Sequence, residues 1–535
     1  MRALISTVTE VWRNERRLAG LPGRFALFLC LLTAVRLAAA AFTPLTEDEA
    51  YYRLWSVYPA FGYYDHPPMV AWWIAIGKNL LGDNPLGARL VAVFATTVVS
   101  LLIYRIAQLC DLSDAAAVRA AVLYNATILV GFGGHLIVPD GPSCLFWTAT
   151  LFMLLKARDG SGSTSARYWL AAGMLAGLAV LSKYSALFLA PGVVLWLATS
   201  VEGRRRLLTP WPWLCALLAG LVFSTNILWN AGHDWVSFQK QFGRAAPDSL
   251  TPRHLMELLV SQAFLLNPLI TPLALAGLFS ALSRRAAPLD GRWLIVAVTL
   301  PFSAYLVIHS LHAGVQGHWP APLYPGLAVL AAEALDRVQG WRKRAGAIAP
   351  PFGLIISGLA LLHVALPATD WFGKMDLSAQ MRGWPLFARR VEMVRAHVGA
   401  SWVGSLSFGQ VAFLDNTRLI DAPILQITER SRYQFQPPPS AAALSRPGLV
   451  VDFNRRISAA DLGKCFREVI PIGEIDRGGD AHPPAALARL GLGPRQYTYS
   501  LFRVAGPRVD LVRDGCWEAK TLADSLKARA LRPKN

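Results

Sequence analysis

Long apolar segments recur through the first two thirds of this sequence, and they constrain its fold more than any other feature. An α-helix rises about 1.5 Å per residue, so roughly 20 apolar residues cross the hydrocarbon core of a bilayer. The chain is 54% hydrophobic and only 16% charged, with a mean hydropathy of +0.37, whereas soluble domains carry about 25% charged residues. The sequence therefore predicts a polytopic α-helical membrane protein.

Eleven of these segments are predicted to span the membrane, and sequence of a different character follows them. After about residue 366, Gly, Pro and Arg alternate with short apolar runs, which is typical of a soluble α/β domain. We therefore assign 1–366 to a transmembrane domain and 367–535 to a C-terminal domain. The predicted spans are 25–42, 86–107, 114–132, 140–156, 168–183, 184–200, 210–229, 255–282, 292–310, 319–335 and 346–366.

The C-terminal domain is predicted to contain short strands and helices bounded by turn residues. Two of the six cysteines, Cys465 and Cys516, lie in it and are able to form a disulfide in an oxidising compartment. The other four lie in or near predicted spans, where buried, inert thiols are expected. The predicted strands are 407–416 and 446–456, and the predicted helices are 440–448 and 523–532.

The distribution of Arg and Lys predicts the orientation in the membrane. A net charge of +18 is compatible with nucleic-acid binding, but the basic residues form short clusters between apolar runs, as cytoplasmic loops do. Segments 133–139 and 311–318, expected on the other side, contain no Lys or Arg. We therefore place the N-terminus in the cytoplasm, and the first long loop and the C-terminal domain on the periplasmic side of a bacterial inner membrane.

The first predicted outer loop, EDEAYYRLWSVYPAFGYYDHPPM at 47–69, combines acidic, aromatic and turn-forming residues. Its aromatic side chains, Tyr63 and Tyr64 among them, suit either an aromatic belt at the membrane interface or the wall of a site for a sugar or an isoprenoid chain. Because acids near a bilayer are costly, Asp48, Glu49 and Asp65 are candidate site residues.

Further polar residues are predicted at the same membrane surface. Asp140, in VPDGP, is either a simple first-turn acid of a helix or a functional carboxylate. Lys183, in VLSKYS, either extends to the interface or supplies a positive charge to a bound anion. His66 and His318 lie beside proline-rich turns and could donate hydrogen bonds to phosphate oxygens, although a lone histidine is more often structural.

These residue types together suit one class of reaction. A phosphate ester of a membrane lipid is an anionic leaving group, which cations and hydrogen-bond donors stabilise. A carboxylate can accept the proton of an attacking hydroxyl. A lipid-linked donor needs no soluble nucleotide, and no Walker-type or Rossmann-type glycine loop is found. The sequence indicates no cofactor and no metal-ligand cluster, although a divalent ion would be compatible with the chemistry.

The first outer loop closely resembles that of bacterial members of the dolichyl-phosphate-mannose protein mannosyltransferase family. The blocks VPDGP, GLAVLSKYSALFLAPG, HDWVSFQKQFGR and HWPAPLYPGLAVL resemble later family blocks in the same order, over most of 25–340. These enzymes are GT-C glycosyltransferases related to the aminoarabinose transferase that modifies lipid A. The resemblance implies a GT-C fold, a polyprenyl-phosphate sugar as donor and inversion at the anomeric carbon.

The resemblance also implies roles for individual residues. Asp48 occupies the position of the catalytic base, and Asp140 that of the second family acid. Lys183 matches a lysine that would contact phosphate, while Glu49 and Tyr324, the latter in the HWPAPLYP block, are implied to line the substrate site. In the aminoarabinose branch a lysine precedes the Pro-Pro pair, but here His66 stands there, which favours another sugar.

The acceptor is predicted from charge, and other functions stay open. An arginine-rich C-terminal domain favours an anionic acceptor, such as lipid A or lipopolysaccharide core, over protein. The alternatives are a protein O-mannosyltransferase-like activity, a non-enzymatic flippase or transporter of lipid-linked sugars, and an inactive scaffold. The absence of an internal repeat and the gathering of polar residues at one surface favour the enzyme. The arginines in question are Arg389, Arg390, Arg430, Arg432, Arg455 and Arg456.

Overall fold

The chain divides into two compact units, which do not follow the order of the sequence. The computed structural model describes residues 21–243, 250–285, 287–366, 376–454, 456–478 and 497–516. The helical unit contains the described residues up to Thr43 and those from His66 to Leu362. The sheet unit contains Pro44–Asp65 and the described residues from His363 onward. The division thus differs from a single boundary after residue 366, because most of the first outer loop groups with the C-terminal residues.

The helical unit consists of α-helices and short 3₁₀ turns around a large apolar core. Alanine and branched aliphatic residues dominate its buried positions, together with the fully buried Trp147 and Trp196. Its helices are α1 (Gly23–Phe42), α3 (Met69–Leu81), α4 (Pro85–Leu109), α5 (Asp114–Asn125), α6 (Ile128–Gly133), α7 (Asp140–Asp159), α8 (Gly162–Val180), α9 (Leu189–Ala198), α10 (Val201–Leu207), α11 (Trp211–Ala231), α12 (Val236–Phe242), α13 (Arg253–Leu265), α14 (Thr271–Leu282), α15 (Gly291–Ser310), α16 (Tyr324–Arg337) and α17 (Gly340–Ala365).

Among the described residues, five helices are long and apolar enough to cross a membrane by length and composition: α1, α4, α11, α15 and α17. Each coincides with a predicted span. The other predicted spans correspond to helices that are shorter or less apolar, so the number eleven stays a prediction.

Two of the predicted continuous spans are broken helices. Segment 255–282 is interrupted between α13 and α14, where Asn267 adopts a positive φ of 81° and Pro268 follows. The Asn267 amide donates to Ala126 O at 3.1 Å and to Ala349 O at 2.9 Å. Ala126 lies at the end of α5, where segment 114–132 is interrupted. The buried asparagine therefore satisfies a backbone carbonyl that a helix end leaves without a partner.

The sheet unit is built on a five-stranded mixed sheet with the order β2-β1-β3-β5-β4. Strand β1 pairs in parallel with β2 and β3, while β5 pairs antiparallel with β3 and β4. The strands are β1 (Trp402–Ser405), β2 (Ile424–Gln426), β3 (Gly448–Phe453), β4 (Phe466–Arg477) and β5 (Tyr497–Pro507), and the helices are α2 (Glu47–Trp55), α18 (Trp384–His397), α19 (Phe408–Thr417), α20 (Ala441–Leu444) and α21 (Ala459–Leu462).

The strand and helix predictions for this unit had mixed outcomes. Strand β3 lies within 446–456 and helix α20 within 440–448, as predicted. The prediction of a strand at 407–416 is wrong, because this segment forms α19. The Ser407 side chain caps it by accepting a hydrogen bond from Gln410 N, a start signal that outweighs the short apolar run. The predicted helix at 523–532 lies outside the described residues.

Cys465 and Cys516 form a disulfide that joins the start of β4 to the chain beyond β5. Their Cα atoms lie 5.3 Å apart, and 51 positions separate them in sequence. Cys465 belongs to the apolar core of the sheet unit, and Cys516 packs against that core. Cys110 and Cys144 are buried free thiols, as predicted, whereas the Cys30 thiol is exposed. The bonded pair is consistent with an oxidising environment.

Candidate active site: two acidic clusters

The Asp140 cluster in the helical unit consists of Asp140, Lys183 and His318. Asp140 is the first residue of α7, and Lys183 immediately precedes the 3₁₀ turn Tyr184–Phe188, in an extended conformation. Lys183 Nζ donates to Asp140 Oδ1 at 2.7 Å, and His318 Nε2 lies 3.6 Å from Asp140 Oδ2. Because Asp140 and Lys183 are both buried, neither is a simple surface residue.

Backbone contacts hold His66 near the same cluster. The turn His66-Pro-Pro ends at Met69, whose N–H donates to Leu181 O at 3.2 Å, two residues before Lys183. His66 is close enough to Asp140 to interact with it electrostatically. The His318 ring is half-exposed, and partial loss of its hydration lowers its pKa, although the Asp140 carboxylate acts in the opposite direction. At neutral pH His318 is therefore a neutral donor or acceptor.

Tyr324 contacts the Asp140 cluster only indirectly, through Gln262. Its hydroxyl donates to Gln262 Oε1 at 2.9 Å, and Gln262 Nε2 donates to Gly317 O at 2.8 Å. The buried Tyr324 thus supports the residue that precedes His318. Sequence reasoning missed Gln262, because a lone glutamine in an apolar helix carries no motif.

The Asp48 cluster in the sheet unit is built on α2. Thr46 and Glu49 form a capping box: Thr46 Oγ1 accepts from Glu49 N at 3.2 Å, and Thr46 N donates to Glu49 Oε2 at 3.0 Å. Three acids in the first turn complement the helix dipole. Glu49 is fully buried and fixes the start of α2, whereas the Asp48 side chain is solvent-exposed.

Arg432 is the cation of this cluster. Its guanidinium donates to Asp65 Oδ2 and to Glu429 Oε2, both at 2.7 Å, and lies over the rings of Phe408 at 4.5 Å and Tyr64 at 5.3 Å. The Tyr51 hydroxyl donates to Arg432 O at 2.6 Å. Within the sheet unit, Arg432 therefore links the outer loop to the residues that follow β2.

The charges around Asp48 oppose its ionisation. Although water reaches the carboxylate, the surrounding protein removes part of its hydration, and the Glu47 and Asp65 carboxylates add repulsion. Arg432 offsets part of this effect. The resulting pKa of Asp48 is about 6, so the side chain is a carboxylate at neutral pH and a stronger proton acceptor than an ordinary aspartate.

Most aromatic residues of the loop pack inside the sheet unit. The rings of Trp55 and Tyr63 stack with their centroids 4.3 Å apart, and the Tyr63 hydroxyl donates to Trp55 O at 3.0 Å. Both rings also contact Phe435. Tyr63 is 1% exposed and holds the loop in shape.

The predicted site residues therefore form two groups. Asp140, Lys183 and His318 lie together, with His66 and Tyr324 close by, while Asp48, Glu49, Tyr63, Tyr64 and Asp65 belong to the sheet unit. Within the described ranges, no group of three or more His, Cys, Asp or Glu side chains is arranged to hold a metal ion.

Comparisons with known proteins find similarity to glycosyltransferases. Residues 65–229 match the family model of dolichyl-phosphate-mannose-protein mannosyltransferases. The lipid A galacturonosyltransferase RgtD of Rhizobium johnstonii is 24% identical over 301 residues, which cover 54% of this chain and 60% of the relative. The undecaprenyl phosphate-alpha-4-amino-4-deoxy-L-arabinose arabinosyl transferase of Pseudomonas aeruginosa is 28% identical over 135 residues, which cover 25% of this chain and 24% of that protein. The chain thus spans less than two thirds of either relative.

The fold comparison extends over nearly the whole chain. The crystal structure of ArnT from Cupriavidus metallidurans bound to undecaprenyl phosphate superposes with a TM-score of 0.61 at 14% identity, covering 91% of this chain and 99% of that one. At this identity the likeness shows the fold alone. Together with the sequence match over 65–229, it confirms the resemblance found in the sequence: this chain is similar to the dolichyl-phosphate-mannose-protein mannosyltransferase family of glycosyltransferases and has the GT-C fold.

Proposed function

We propose that this chain transfers a sugar from a polyprenyl-phosphate-linked donor to lipid A, lipopolysaccharide core or another envelope glycan, at the outer face of the inner membrane. The observation that carries the proposal is the buried contact of Lys183 with Asp140 beside His318. A buried cation with two neighbouring histidines is suited to an anionic leaving group. The names of the two relatives, a lipid A transferase and a transferase of an undecaprenyl-phosphate sugar, support the same choice.

Lys183 is assigned to the donor phosphate. An ammonium group has three N–H donors, and Asp140 accepts one of them. The remaining donors suit phosphate oxygens, whose negative charge grows as the sugar–phosphate bond breaks. Asp140 holds the ammonium in place, and its negative charge balances that of Lys183. A phosphate that binds here competes with Asp140 for the ammonium. His66 and His318 add further hydrogen-bond donors.

Asp48 is assigned as the general base. The acceptor oxygen attacks the anomeric carbon from the side opposite the phosphate, and the carbon–oxygen bond to phosphate breaks with its electron pair staying on the phosphate. The hydroxyl proton passes to Asp48, and the anomeric centre is inverted. With an acceptor that is already a phosphate anion there is no proton to remove, and Asp48 would then only position and polarise.

The sugar is proposed to differ from aminoarabinose. His66 replaces the lysine of the aminoarabinose branch, and a galacturonosyltransferase is among the relatives. A hexuronic acid is therefore the first sugar to test. Its carboxylate suits a site in which imidazole groups lie beside a lysine.

The deciding experiment offers polyprenyl-phosphate sugars and a lipid A or core acceptor to the purified chain in lipid nanodiscs. Mass spectrometry follows the acceptor. A gain of one sugar that is lost in Asp48→Asn and retained in Asp421→Asn, an exposed aspartate of the same unit, supports the proposal. If no donor gives transfer while lipid binding is tight and insensitive to Asp48→Asn, the chain is a flippase or a binding protein.

A further inference from the structure

The sheet unit contains a cavity of about 470 Å³ that the transfer reaction does not explain. All the residues that line it belong to this unit. Its size falls in the range of small-molecule sites and suits one or two sugar rings. One part of the wall consists of aromatic side chains and the other of polar side chains.

Arg477 fixes the aromatic part of the wall. Its guanidinium lies 4.2 Å from the Trp384 ring centroid and 4.4 Å from that of Tyr497, and its Nε donates to the Tyr499 hydroxyl at 3.0 Å. Arg477 is 2% exposed and also donates to the carbonyls of Ala379 and Gln380. Its guanidinium is buried and its Nε and Nη1 donate within the protein, so its role is to hold the aromatic rings rather than to bind a ligand.

The polar part of the wall offers acceptors that lack donors. In the described part of the chain, no residue forms a hydrogen bond or a short ion pair with the Glu47 carboxylate, which packs against the backbone of Gly409. Gln410 Nε2 donates to Val451 O at 2.9 Å, but its Oε1 is buried without a partner among those residues. Gln410 is only 3% exposed. A ligand rich in hydroxyl donors would complement this part of the wall.

Arg456 supplies an accessible positive charge. Its side chain is exposed, and its guanidinium lies 5.1 Å from the centroid of the Phe453 ring, another lining residue. Unlike Arg477, it makes no side-chain hydrogen bond to any described residue. A guanidinium in this state is able to form a two-pronged contact with a carboxylate or phosphate group.

We infer that this cavity binds a saccharide unit that carries an anionic substituent. The half-buried rings of Tyr497 and Phe453 suit the apolar face of a sugar. Glu47 and Gln410 suit its hydroxyl groups, and Arg456 suits the anion. A simple phosphate has no apolar face to pack against the aromatic rings, and an apolar ligand would leave the Glu47 carboxylate unsolvated. The inference goes beyond the transfer reaction and is tested by binding alone.

The test measures binding of digalacturonic acid to the full chain in nanodiscs by saturation-transfer NMR and titration calorimetry. The neutral galactobiose of the same linkage is the matched probe. We expect digalacturonic acid to bind more tightly, and Arg456→Ala and Glu47→Gln each to weaken it by about tenfold, which corresponds to one lost charge-assisted hydrogen bond. Tyr497→Ala should weaken both saccharides.

Two controls separate this cavity from other sites. Arg467→Ala removes an exposed arginine at the start of β4, the end opposite Arg477. It should leave binding unchanged. The double variant Asp140→Asn with Lys183→Met alters the proposed donor site and should also leave it unchanged. Binding that responds to the double variant but not to Arg456→Ala would overturn the inference, as would equal affinity for the two saccharides or no binding of either.

Discussion

The Lys183 ammonium lies 2.7 Å from the Asp140 carboxylate, and both groups are buried in the helical unit. Such a pair contributes little net stability, because desolvation of the two charges offsets most of their attraction. Loss of one partner is far more costly than loss of both, since it leaves one charge buried alone. Comparing the single and the double substitution therefore distinguishes a lysine that only balances a buried charge from one that the reaction needs.

Lys183→Met is expected to destabilise the chain by about 3–5 kcal/mol, because Asp140 then stays buried without a counter-charge. Asp140→Asn added to it should restore most of the thermal stability without restoring sugar transfer. Thermal unfolding and the transfer assay, run in parallel on both variants, check this. Recovery of transfer in the double variant would show that Lys183 serves only to balance Asp140.

The pH dependence of transfer should report Asp48. A base must be deprotonated, so kcat/KM should rise with pH through about 6 and level off above about 7. The acidic limb should be absent from any trace of transfer that Asp48→Asn retains and present in Asp421→Asn. A profile that is flat from pH 5 to 8 with a hydroxyl acceptor would contradict the assignment of Asp48 as base.

Ionisation of Asp48 should also affect stability, with the opposite sign to an ordinary salt-bridged aspartate. Because its folded pKa lies above the value of an unfolded aspartate, the folded state binds more protons between about pH 4 and 6, and stability falls as the pH rises through this window. Asp48→Asn should remove this part of the pH dependence. Thermal melting of the two proteins at pH 4.5 and 7 measures the difference.

Arg432→Ala should disturb both the loop and the base. Asp65 would lose its ion pair, at a cost of about 3 kcal/mol, and the pKa of Asp48 would rise further because Arg432 now lowers it. The acidic limb of the pH profile should therefore move to higher pH. Arg432→Lys keeps the charge but not the fork of donors, so an intermediate limb is expected. An unchanged limb in Arg432→Ala would show that Asp48 does not sense this cation.

Reduction of the Cys465–Cys516 disulfide should destabilise the sheet unit. Opening a loop of 51 positions removes up to about 4 kcal/mol by the chain-entropy estimate. Cys465→Ala with Cys516→Ala should lower the thermal midpoint in the absence of reductant, whereas Cys30→Ala, which alters an exposed free thiol, should not. Equal midpoints for all three proteins would show that the bond adds no constraint.

The residues that sequence analysis found best are those defined by local patterns. The long helices α1, α4, α11, α15 and α17 follow from apolar length alone, and the disulfide partners follow from their position outside the predicted spans. The sequence singles out Lys183 because apolar residues flank it, and Asp140 because it opens a predicted span. Their contact, across 43 positions, depends on how α7 and α8 pack, which no local pattern records.

Other features lay beyond local patterns. Arg432 stood among six arginines expected to contact an anionic acceptor, yet it pairs with Asp65 across 367 positions, and Arg430 donates to the carbonyls of Gln426 and Val512. The helix α19 was mistaken for a strand because a short apolar run fits both structures. Ser407, a good N-cap residue, was the signal available to separate them.

The grouping of Pro44–Asp65 with residues after His363 has a consequence for biosynthesis. Tyr51, Trp55 and Tyr63 leave the ribosome more than 350 residues before Tyr433 and Phe435, the rings against which they pack. At about 5–20 residues per second, roughly 20–75 s pass before the partner rings are synthesised. During this interval the apolar rings of the loop lack their packing partners. A fragment ending near residue 366 would leave these rings exposed permanently.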